Sequence, residues 1–373
     1  MLDIPATYES SRERFRSLPA SFPDHWPDSR LTSIPLADDS DLTIDVIRAD
    51  ATREKQRLFI LTTGLHGIEG YVGAGVIQLF IEEYLPHFDS GTTGVVIVHP
   101  INAYGMKHRM RVNKNNVDLN RSFNEDYGGL KSINPDYESL NFLLNPARPL
   151  KSPFYEKAAF LWNVLKALPK GVRHIRETAL MGQYRVHDGM SFGGFELQEE
   201  TKAMLGLLET AVSGYAQILF LDVHTGYGPR WQMTLLNPPT ERMTAAETES
   251  RFKVPLVAGV NPEEFYSING DMLEYFCNMI KANYPEKTYY AGAFEFGTYG
   301  DSLWQGIHSL RTTVLENALR WFGGSDAARA WMKREYDELF LPSEPKWREK
   351  ASHNARVAFD GIFGAEGFLE HST

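Results

Sequence analysis

The chain alternates between short apolar runs and longer segments in which apolar residues recur at helical spacing. The short runs are rich in β-branched residues or alternate between apolar and polar positions, which is typical of strands. They cover residues 42–47, 58–62, 94–100, 217–223, 231–236 and 291–296. The helical segments cover residues 7–18, 71–84, 153–168, 172–181, 195–212, 272–282, 305–322, 327–340 and 346–362. This pattern predicts an α/β protein.

The order of the elements predicts how part of the sheet is connected. Strand 58–62, helix 71–84 and strand 94–100 follow one another with short joints, which favours a right-handed crossover and a sheet that is at least partly parallel. Polar residues 50–56, between the first two strands, are interpreted as a hairpin connection. Residues 102–124 form a long polar segment, and a loop of this length inside a compact fold is usually functional.

The composition is that of an ordinary globular protein. The chain has 373 residues, of which 43% are hydrophobic and 23% charged, so it can form one large domain or two smaller ones. A net charge of −10 argues against an electrostatic association with nucleic acid or an anionic membrane. Because no repeat, low-complexity tract or interdomain linker is apparent, we expect a single domain spanning residues 1–373.

The single cysteine and the first residues bear on the compartment. Cys277 alone excludes an intramolecular disulfide and any cysteine-based zinc site. Residues 1–16 carry several charged side chains and lack the apolar core of a secretory signal. No stretch approaches the ~18 to 20 apolar residues of a membrane span. We therefore expect a cytoplasmic protein whose metal ligands, if it has any, are His, Asp or Glu.

A glycine-rich heptapeptide, Gly-Leu-His-Gly-Ile-Glu-Gly at residues 64–70, lies between a predicted strand and a predicted helix. His66 and Glu69 are thus in the turn that leaves the carboxyl end of a strand, where open α/β sheets build their sites. An imidazole and a carboxylate three positions apart can bind one zinc ion. The alternative is a capped turn, in which Glu69 interacts with the positive end of the helix dipole.

Three of the predicted strands end in an ionisable group followed by glycine, and these groups are His66, His224 and Glu295. Because parallel strands bring such ends to one edge of a sheet, His224 would complete a two-His, one-Glu zinc site with water in the fourth position. Zinc acidifies its bound water and polarises a scissile carbonyl. A separate carboxylate must accept the proton, and Glu295 is the candidate. Alternatively, the histidines are structural and Glu295 faces water.

The polar segment 102–124 is rich in basic residues. A guanidinium group stabilises the oxyanion that forms during amide hydrolysis, and Arg111 is a candidate for this role. Asn120 and Arg121 together can hold a substrate carboxylate, because arginine presents a planar fork suited to bidentate pairing. The alternative is a solvated basic loop in which Arg121 forms a surface ion pair.

Four motifs follow one another along the chain: His66-x-x-Glu69, Val-Asp-Leu-Asn-Arg at 117–121, Asp-Val-His at 222–224, and Phe-Glu-Phe at 294–296 with Tyr299-Gly300 beyond it. Their order resembles the zinc carboxypeptidase family typified by carboxypeptidase A, a clan that includes the aspartoacylase and succinylglutamate desuccinylase deacylases. The resemblance implies a mixed, largely parallel eight-stranded sheet with helices on both faces. Residues 1–40 would be an N-terminal lead-in, and residues 125–215 an enlarged helical insertion.

The resemblance also implies roles for single residues. His66, Glu69 and His224 would be the ligands of one Zn²⁺ ion. Asn120 and Arg121 would bind the terminal carboxylate of the substrate, and Glu295 would be the general base and acid.

Three further roles follow from the same resemblance. Asp118 would orient a zinc-bound imidazole, in keeping with the usual pairing of metal-binding histidine with a carboxylate. Arg111 is the first choice for the oxyanion arginine and Arg109 the second. Tyr266 is similar to a mobile tyrosine that closes the pocket over the substrate, and the alternative is an amphipathic surface tyrosine.

The leading hypothesis is a zinc metallohydrolase that cleaves a peptide or amide bond next to a free carboxylate, with a small peptide or N-acyl amino acid as substrate. An N-acyl-amino-acid deacylase shares the zinc site, but its relatives carry a β-rich C-terminal appendage, whereas this chain is helical after Gly300. A catalytically silent zinc-binding protein is a third hypothesis. The sequence does not indicate side-chain specificity or oligomeric state.

Overall fold

A computed structural model describes residues 1–22, 26–36, 39–259 and 268–369. Its centre is one sheet of eight strands in the order β1-β2-β4-β3-β5-β8-β6-β7, among the residues described. The strands are β1 (Arg30–Leu36), β2 (Asp39–Ala49), β3 (Arg57–Thr63), β4 (Thr93–His99), β5 (Gln217–Gly226), β6 (Met233–Asn237), β7 (Val257–Gly259) and β8 (Thr288–Gly297).

Helices cover both faces of this sheet. They are α1 (Tyr8–Ser17), α2 (Gly70–Glu83), α3 (Ala103–Lys107), α4 (Asn141–Leu144), α5 (Pro153–Ala167), α6 (Val172–Leu180), α7 (Glu199–Ala211), α8 (Ala245–Phe252), α9 (Met272–Asn283), α10 (Leu303–Phe322), α11 (Asp326–Phe340) and α12 (Pro345–Glu366). In the described part of the chain, no helix combines the length and the apolar character needed to cross a membrane.

The core has two layers, one on each face of the sheet. Along β3, Phe59 packs with α2, α8 and α12 on one face, whereas Ile60 packs with α7, α9 and α11 on the other. Both faces of the central strands are therefore buried, which is why these strands are continuous apolar runs in the sequence. The predicted mixed sheet with helices on both faces is confirmed.

The four central strands are parallel neighbours. β3 pairs with β4 and β5, and β5 pairs with β8, all in parallel register. The carboxyl ends of β3, β5 and β8 consequently meet at one edge of the sheet, and this edge carries the candidate site. β2 and β6 pair antiparallel with the outer members of this group, which makes the sheet mixed.

The predicted hairpin at residues 50–56 is wrong. β2 pairs antiparallel with β1 and β4, and β3 pairs with neither β1 nor β2. Because β3 has parallel neighbours on both sides, the polar connection carries the chain past β4 instead of reversing it beside β2. A short polar segment has the same composition in either case, so the pattern alone does not distinguish the two connections.

Five elements were not predicted from the pattern: the strands β1 and β7 and the helices α3, α4 and α8. β1 is a mostly exposed edge strand that contains Pro35, a residue tolerated at sheet edges. α8 begins with a capping box in which Thr244 and Glu247 bond each other's backbone, and this signal is visible in the sequence. Residues 125–215 contain α4 to α7 and no strand of the sheet.

Candidate metal centre

The turn after β3 presents His66 and Glu69. Gly64 has a φ of +70°, a conformation that side chains rarely adopt, so the chain leaves the strand through a left-handed residue. A Cβ on Gly67 would lie 2.1 Å from the carbonyl carbon of Gly105, so the turn packs directly against α3. Glu69 occupies the N-cap position of α2, but its side chain makes no capping hydrogen bond there.

The structure brings together His66, Glu69 and His224, whose candidate ligand atoms all lie within 4.8 Å of one another. Nδ1 of His66 is 3.0 Å from Oε1 of Glu69 and 3.2 Å from Nδ1 of His224. Nδ1 of His224 is 3.1 Å from Oε2 of Glu69. The backbone N–H of Thr225 also donates to Oε2 of Glu69 at 3.0 Å. All three candidate ligands are buried.

Each imidazole has a carboxylate on its other nitrogen. Oδ1 of Asp118 lies 3.1 Å from Nε2 of His66, and Oδ2 of Asp222 lies 2.6 Å from Nε2 of His224. A carboxylate in this position favours the tautomer that carries its hydrogen on Nε2, which leaves Nδ1 as an acceptor. Two Nδ1 lone pairs and the Glu69 carboxylate then face one another, and only a cation satisfies all three.

The three ligand groups fit a divalent ion. Tetrahedral zinc with nitrogen and oxygen ligands places neighbouring ligand atoms about 3.3 Å apart. The separations of 3.0 to 3.2 Å in the cluster are close to this value. Without a metal a proton takes its place: burial opposes the charged form, but Asp222 and Glu69 hold the pKa of His224 well above its usual range. A metal ion therefore competes with a proton for this cluster.

The charge on Glu69 follows from the same contacts. Burial alone would favour the neutral acid, but the charge of His66 and the hydrogen bond from His224 lower the pKa of Glu69 to about 2. Glu69 is therefore an anion at neutral pH, as a metal ligand must be.

Glu295 lies beside the cluster on the adjacent strand. In the register of β5 and β8 it is paired with His224, and both side chains line the same cavity. Its Oε1 accepts a hydrogen bond from the backbone N–H of Tyr227 at 2.9 Å. Burial, with the negative charge of Glu69, raises the pKa of Glu295 to about 8. Both protonation states are therefore accessible near neutral pH, which suits a group that accepts and then donates a proton.

The two candidate oxyanion arginines have different environments. Arg111 lines the cavity, and its guanidinium group hydrogen-bonds Asp118. Burial opposes its charge, but Asp118 and Glu69 hold the pKa of Arg111 above its usual range, so it remains a cation. Arg109 instead bonds Asp337 at 3.2 Å and is not among the cavity residues. The structure thus separates Arg109, the second choice, from the site.

Asn120 and Arg121 also line the cavity, but both side chains already have protein partners. Asn120 donates to Asp271 at 2.9 Å and accepts from the backbone N–H of Met272 at 3.0 Å. Arg121 donates through Nε and Nη2 to the carbonyl of Leu180 at 3.0 and 2.6 Å, and through Nη1 to the carbonyl of Asn120 at 2.9 Å. Three of its five N–H groups are used, which leaves two for a substrate. Arg121 is buried, which rules out the surface ion pair.

Two acidic residues of the cavity have no role predicted from the sequence. Asp222 had a visible signal, because it lies two positions before His224 on a strand, where side chains share a face. Asp271 had none, since its contact with Asn120 joins segments far apart in the chain. Tyr266 lies outside the described residues, so its role stays a prediction.

The cavity as a whole favours a bound cation. It contains about 570 Å³ of non-protein space, part of it open to solvent. Its polar lining comes from four parts of the chain: the turn after β3, the ends of β5 and β8, the 102–124 segment and the start of α9. Among the described residues, five carboxyl groups line or adjoin the cavity, compared with two guanidinium groups. The carboxyl groups are those of Glu69, Asp118, Asp222, Asp271 and Glu295, and the guanidinium groups are those of Arg111 and Arg121.

The fold and the site define an α/β protein with a candidate His–Glu–His metal centre at the carboxyl edge of a mixed sheet. The chain belongs to the family DUF2817, described as a protein of unknown function, whose profile matches residues 5–354. No curated protein sequence matches the chain.

Several solved structures resemble this one at low identity. Carboxypeptidase A from Helicoverpa armigera is 14% identical, with 88% of this chain and 74% of that chain covered and a TM-score of 0.48. Bovine thrombin-activatable fibrinolysis inhibitor is 14% identical, with 88% of this chain and 99% of that chain covered and a TM-score of 0.46. A succinylglutamate desuccinylase/aspartoacylase family protein from Shewanella amazonensis SB2B is 16% identical. The match covers 79% of this chain and 72% of that chain, with a TM-score of 0.39. The names of the first and the third of these proteins are those of the two branches of the clan that the sequence motifs resemble.

Proposed function

We propose that this protein is a zinc-dependent hydrolase that cleaves a peptide or amide bond next to a free carboxylate. The observation that carries the proposal is the arrangement of the cavity. Two Nδ1 atoms and one carboxylate face one another, and a further carboxyl group, that of Glu295, is paired in register with one of the ligands. A site that only stored a metal ion would have no use for a second, titratable carboxyl group beside it.

Zinc held by His66, Glu69 and His224 would polarise the scissile carbonyl and acidify a water molecule. Glu295, ionised, accepts the proton of the attacking water and returns it to the leaving amine. The hydrogen bond from the Tyr227 backbone fixes Oε1, so the other carboxylate oxygen is the one available for the proton. The guanidinium group of Arg111, oriented by Asp118, stabilises the negative charge that develops on the carbonyl oxygen.

Substrate selection falls to Arg121. Its two remaining N–H groups supply the positive end of a carboxylate site, and its contacts to the carbonyls of Leu180 and Asn120 fix the plane of the guanidinium group. Asn120 is held by Asp271 and by the α9 backbone, so it positions this wall of the cavity. We propose a small peptide or N-acyl amino acid as substrate, in the cytoplasm, where the lone buried Cys277 needs no partner.

The test is the variant Glu295→Gln together with metal analysis. Because Glu295 does not bind the metal, we expect zinc content equal to that of the parent protein and hydrolysis reduced by at least about 100-fold. Glu286→Gln is the matched control, since Glu286 is exposed and lies just before the opposite end of β8. Full hydrolysis by Glu295→Gln of every substrate that the parent cleaves would exclude Glu295 as the base.

One observation favours the N-acyl-amino-acid deacylase as a second candidate. The candidate oxyanion arginine in the cavity is Arg111, only a few residues before the Asn120–Arg121 pair, and in the resembled clan the deacylases have this shorter spacing. Against it, the described chain after Gly300 forms three helices and no strand. Release of C-terminal amino acids from peptides, compared with cleavage of acetyl- and succinyl-amino acids, separates the two. Stoichiometric zinc without turnover on either panel would indicate a silent binding protein.

A further inference from the structure

The outer face of α5 is apolar and exposed. Phe154 is 85% exposed, Trp162 60% and Leu165 50%, and Leu161 and Leu168 are also exposed. The spacing of these five positions places them on one side of a helix. We call this surface the α5 apolar face. Contiguous exposed apolar surface of this kind marks an interaction site, since scattered single residues are the norm on soluble proteins.

The opposite side of α5 already anchors the helix to the protein. Phe160, Val164 and Ala167 are buried in a cluster that includes Ile175 of α6 and Val314 of α10. α5 is further fixed at its start by Ser152, whose side chain accepts from the third residue of the helix. The packing of the helix therefore does not need the α5 apolar face, which remains available for a partner.

Basic residues surround this face in an otherwise acidic protein. Residues 148–176 contain seven Lys or Arg and one Asp or Glu, whereas the whole chain has a net charge of −10. At 100° per residue, Lys157 and Lys166 fall on opposite flanks of the apolar face. Nζ of Lys166 lies 5.6 Å from the ring centroid of Trp162. Among the described residues, neither Lys157, Lys166 nor Lys170 forms an ion pair with a carboxylate.

We propose that α5 binds the surface of a bilayer that contains anionic phospholipids. A helix with Trp, Phe and Leu on one face and lysines along its edges lies in the interface plane, with the apolar face inserted at the level of the headgroups. The flexible stems of Lys157 and Lys166 let their charges reach lipid phosphates on either side. Because the rest of the chain is strongly acidic, an anionic surface repels it and selects α5 as the contact.

The charges favour a bilayer over a second copy of the chain. A symmetric dimer would place the same patch of both copies in contact. Such a contact would bring the lysine flanks of one copy against those of the other, and like charges oppose it. An anionic lipid surface matches both the apolar centre and the basic edges of the patch. The proposal differs from the expectation drawn from net charge, because the net charge averages a basic patch with an acidic remainder.

Vesicle flotation with the full-length chain tests the proposal. Vesicles of phosphatidylcholine with roughly 30 mol % phosphatidylglycerol should bind the protein at low salt, and pure phosphatidylcholine vesicles should not. Raising the ionic strength should weaken binding, because salt screens the lysine contribution. The double variants Trp162→Ser/Leu165→Ser and Lys157→Glu/Lys166→Glu should each lower the partition coefficient by at least about tenfold.

Two control variants change exposed residues outside the α5 apolar face. Trp304→Ser removes an equally exposed Trp on α10, and Lys350→Glu reverses an exposed charge on α12, so both should bind as the parent does. The hydrolytic activity of every variant without vesicles should be unchanged. Failure of the parent to bind anionic vesicles, or equal binding to neutral ones, would overturn the proposal. So would a parent dimer in sedimentation velocity that Trp162→Ser/Leu165→Ser converts to monomer.

Discussion

At the scale of single residues, the carboxylates behind the histidines determine whether the cluster can bind a metal. The 2.6 Å contact between Asp222 and Nε2 of His224 fixes the ring orientation and directs Nδ1 toward Glu69. Asp118 does the same for His66, and it also bonds Arg111, so one carboxylate connects the candidate metal cluster to the proposed oxyanion arginine. These outer carboxylates are therefore as important to the chemistry as the ligands themselves.

The variant Asp222→Asn tests this coupling. The amide removes the negative charge beside the imidazole, and its N–H₂ group can donate to Nε2 and impose the tautomer that blocks Nδ1. We expect zinc affinity, measured by competition with a chelator, to fall about 10- to 100-fold. Asp271→Asn is the matched control, because it lies in the same cavity, can still cap α9 and contacts no imidazole. Equal zinc affinity of Asp222→Asn and the parent would refute the role of Asp222.

At the scale of secondary structure elements, the sequence was informative wherever a side chain followed a buried strand. The apolar runs identified β3, β5 and β8, and the parallel crossover placed the ends of such strands at one edge. His66, His224 and Glu295 could therefore be expected together before any coordinates. The capping box of α8 is an equally local signal in the sequence.

The contacts that could not be predicted join distant segments without a local pattern. The sequence predicts that Arg121 holds a substrate carboxylate, but it does not predict that the Nε and one Nη group of Arg121 donate to the carbonyl of Leu180, at the end of α6. Every residue has a backbone carbonyl, so the sequence does not indicate which carbonyl a distant arginine bonds. The pairing of β2 is equally unpredictable from a local pattern, because its neighbour β4 comes after β3 in the chain. Strand pairing depends on the whole sheet, whereas the alternation of apolar residues records only which positions are buried.

The end of β4 provides a prediction about stability. His99 is buried between α1 and β3, where Nε2 contacts Oγ of Ser11 at 2.8 Å and Nδ1 contacts Oγ1 of Thr63 at 2.6 Å. Burial, with the nearby charge of Arg14, lowers the pKa of His99 to about 3. The unfolded chain binds a proton below about pH 6.5 and the folded chain does not, so the folded state loses stability as the pH falls from 6.5 toward 3.

The variant His99→Gln isolates this contribution. A neutral side chain takes up no proton on unfolding, so the free energy of unfolding should fall less steeply with acid than in the parent. The expected difference is about 1.4 kcal/mol for each pH unit below 6.5. Urea denaturation between pH 7 and pH 5 measures it, with the exposed His353→Gln as control. Identical pH slopes for parent and His99→Gln would show that His99 is protonated in the folded state.

At the scale of the whole molecule, the candidate site connects parts of the chain that the sheet alone does not. Its cavity joins the turn after β3, the ends of β5 and β8, the 102–124 segment and the start of α9. The excess of carboxyl groups in the cavity opposes folding unless a cation is present, because buried like charges repel. A metal ion that binds only the folded chain therefore stabilises the entire domain by mass action.

Metal removal should consequently lower the thermal stability of the protein. At a free zinc concentration about 100 times the dissociation constant, binding contributes about 2.7 kcal/mol, which raises the Tm of a chain this long by a few degrees. Differential scanning fluorimetry with zinc and then with EDTA measures the rise and its loss. The rise in Tm with zinc should disappear in His224→Asn, which lacks one of the proposed ligands. It should persist in His308→Asn, because His308 pairs with Glu335 between α10 and α11, outside the candidate site. An equal rise in the His224→Asn variant would mean that zinc binds elsewhere, and the metal centre would then have no role in the stability of the fold.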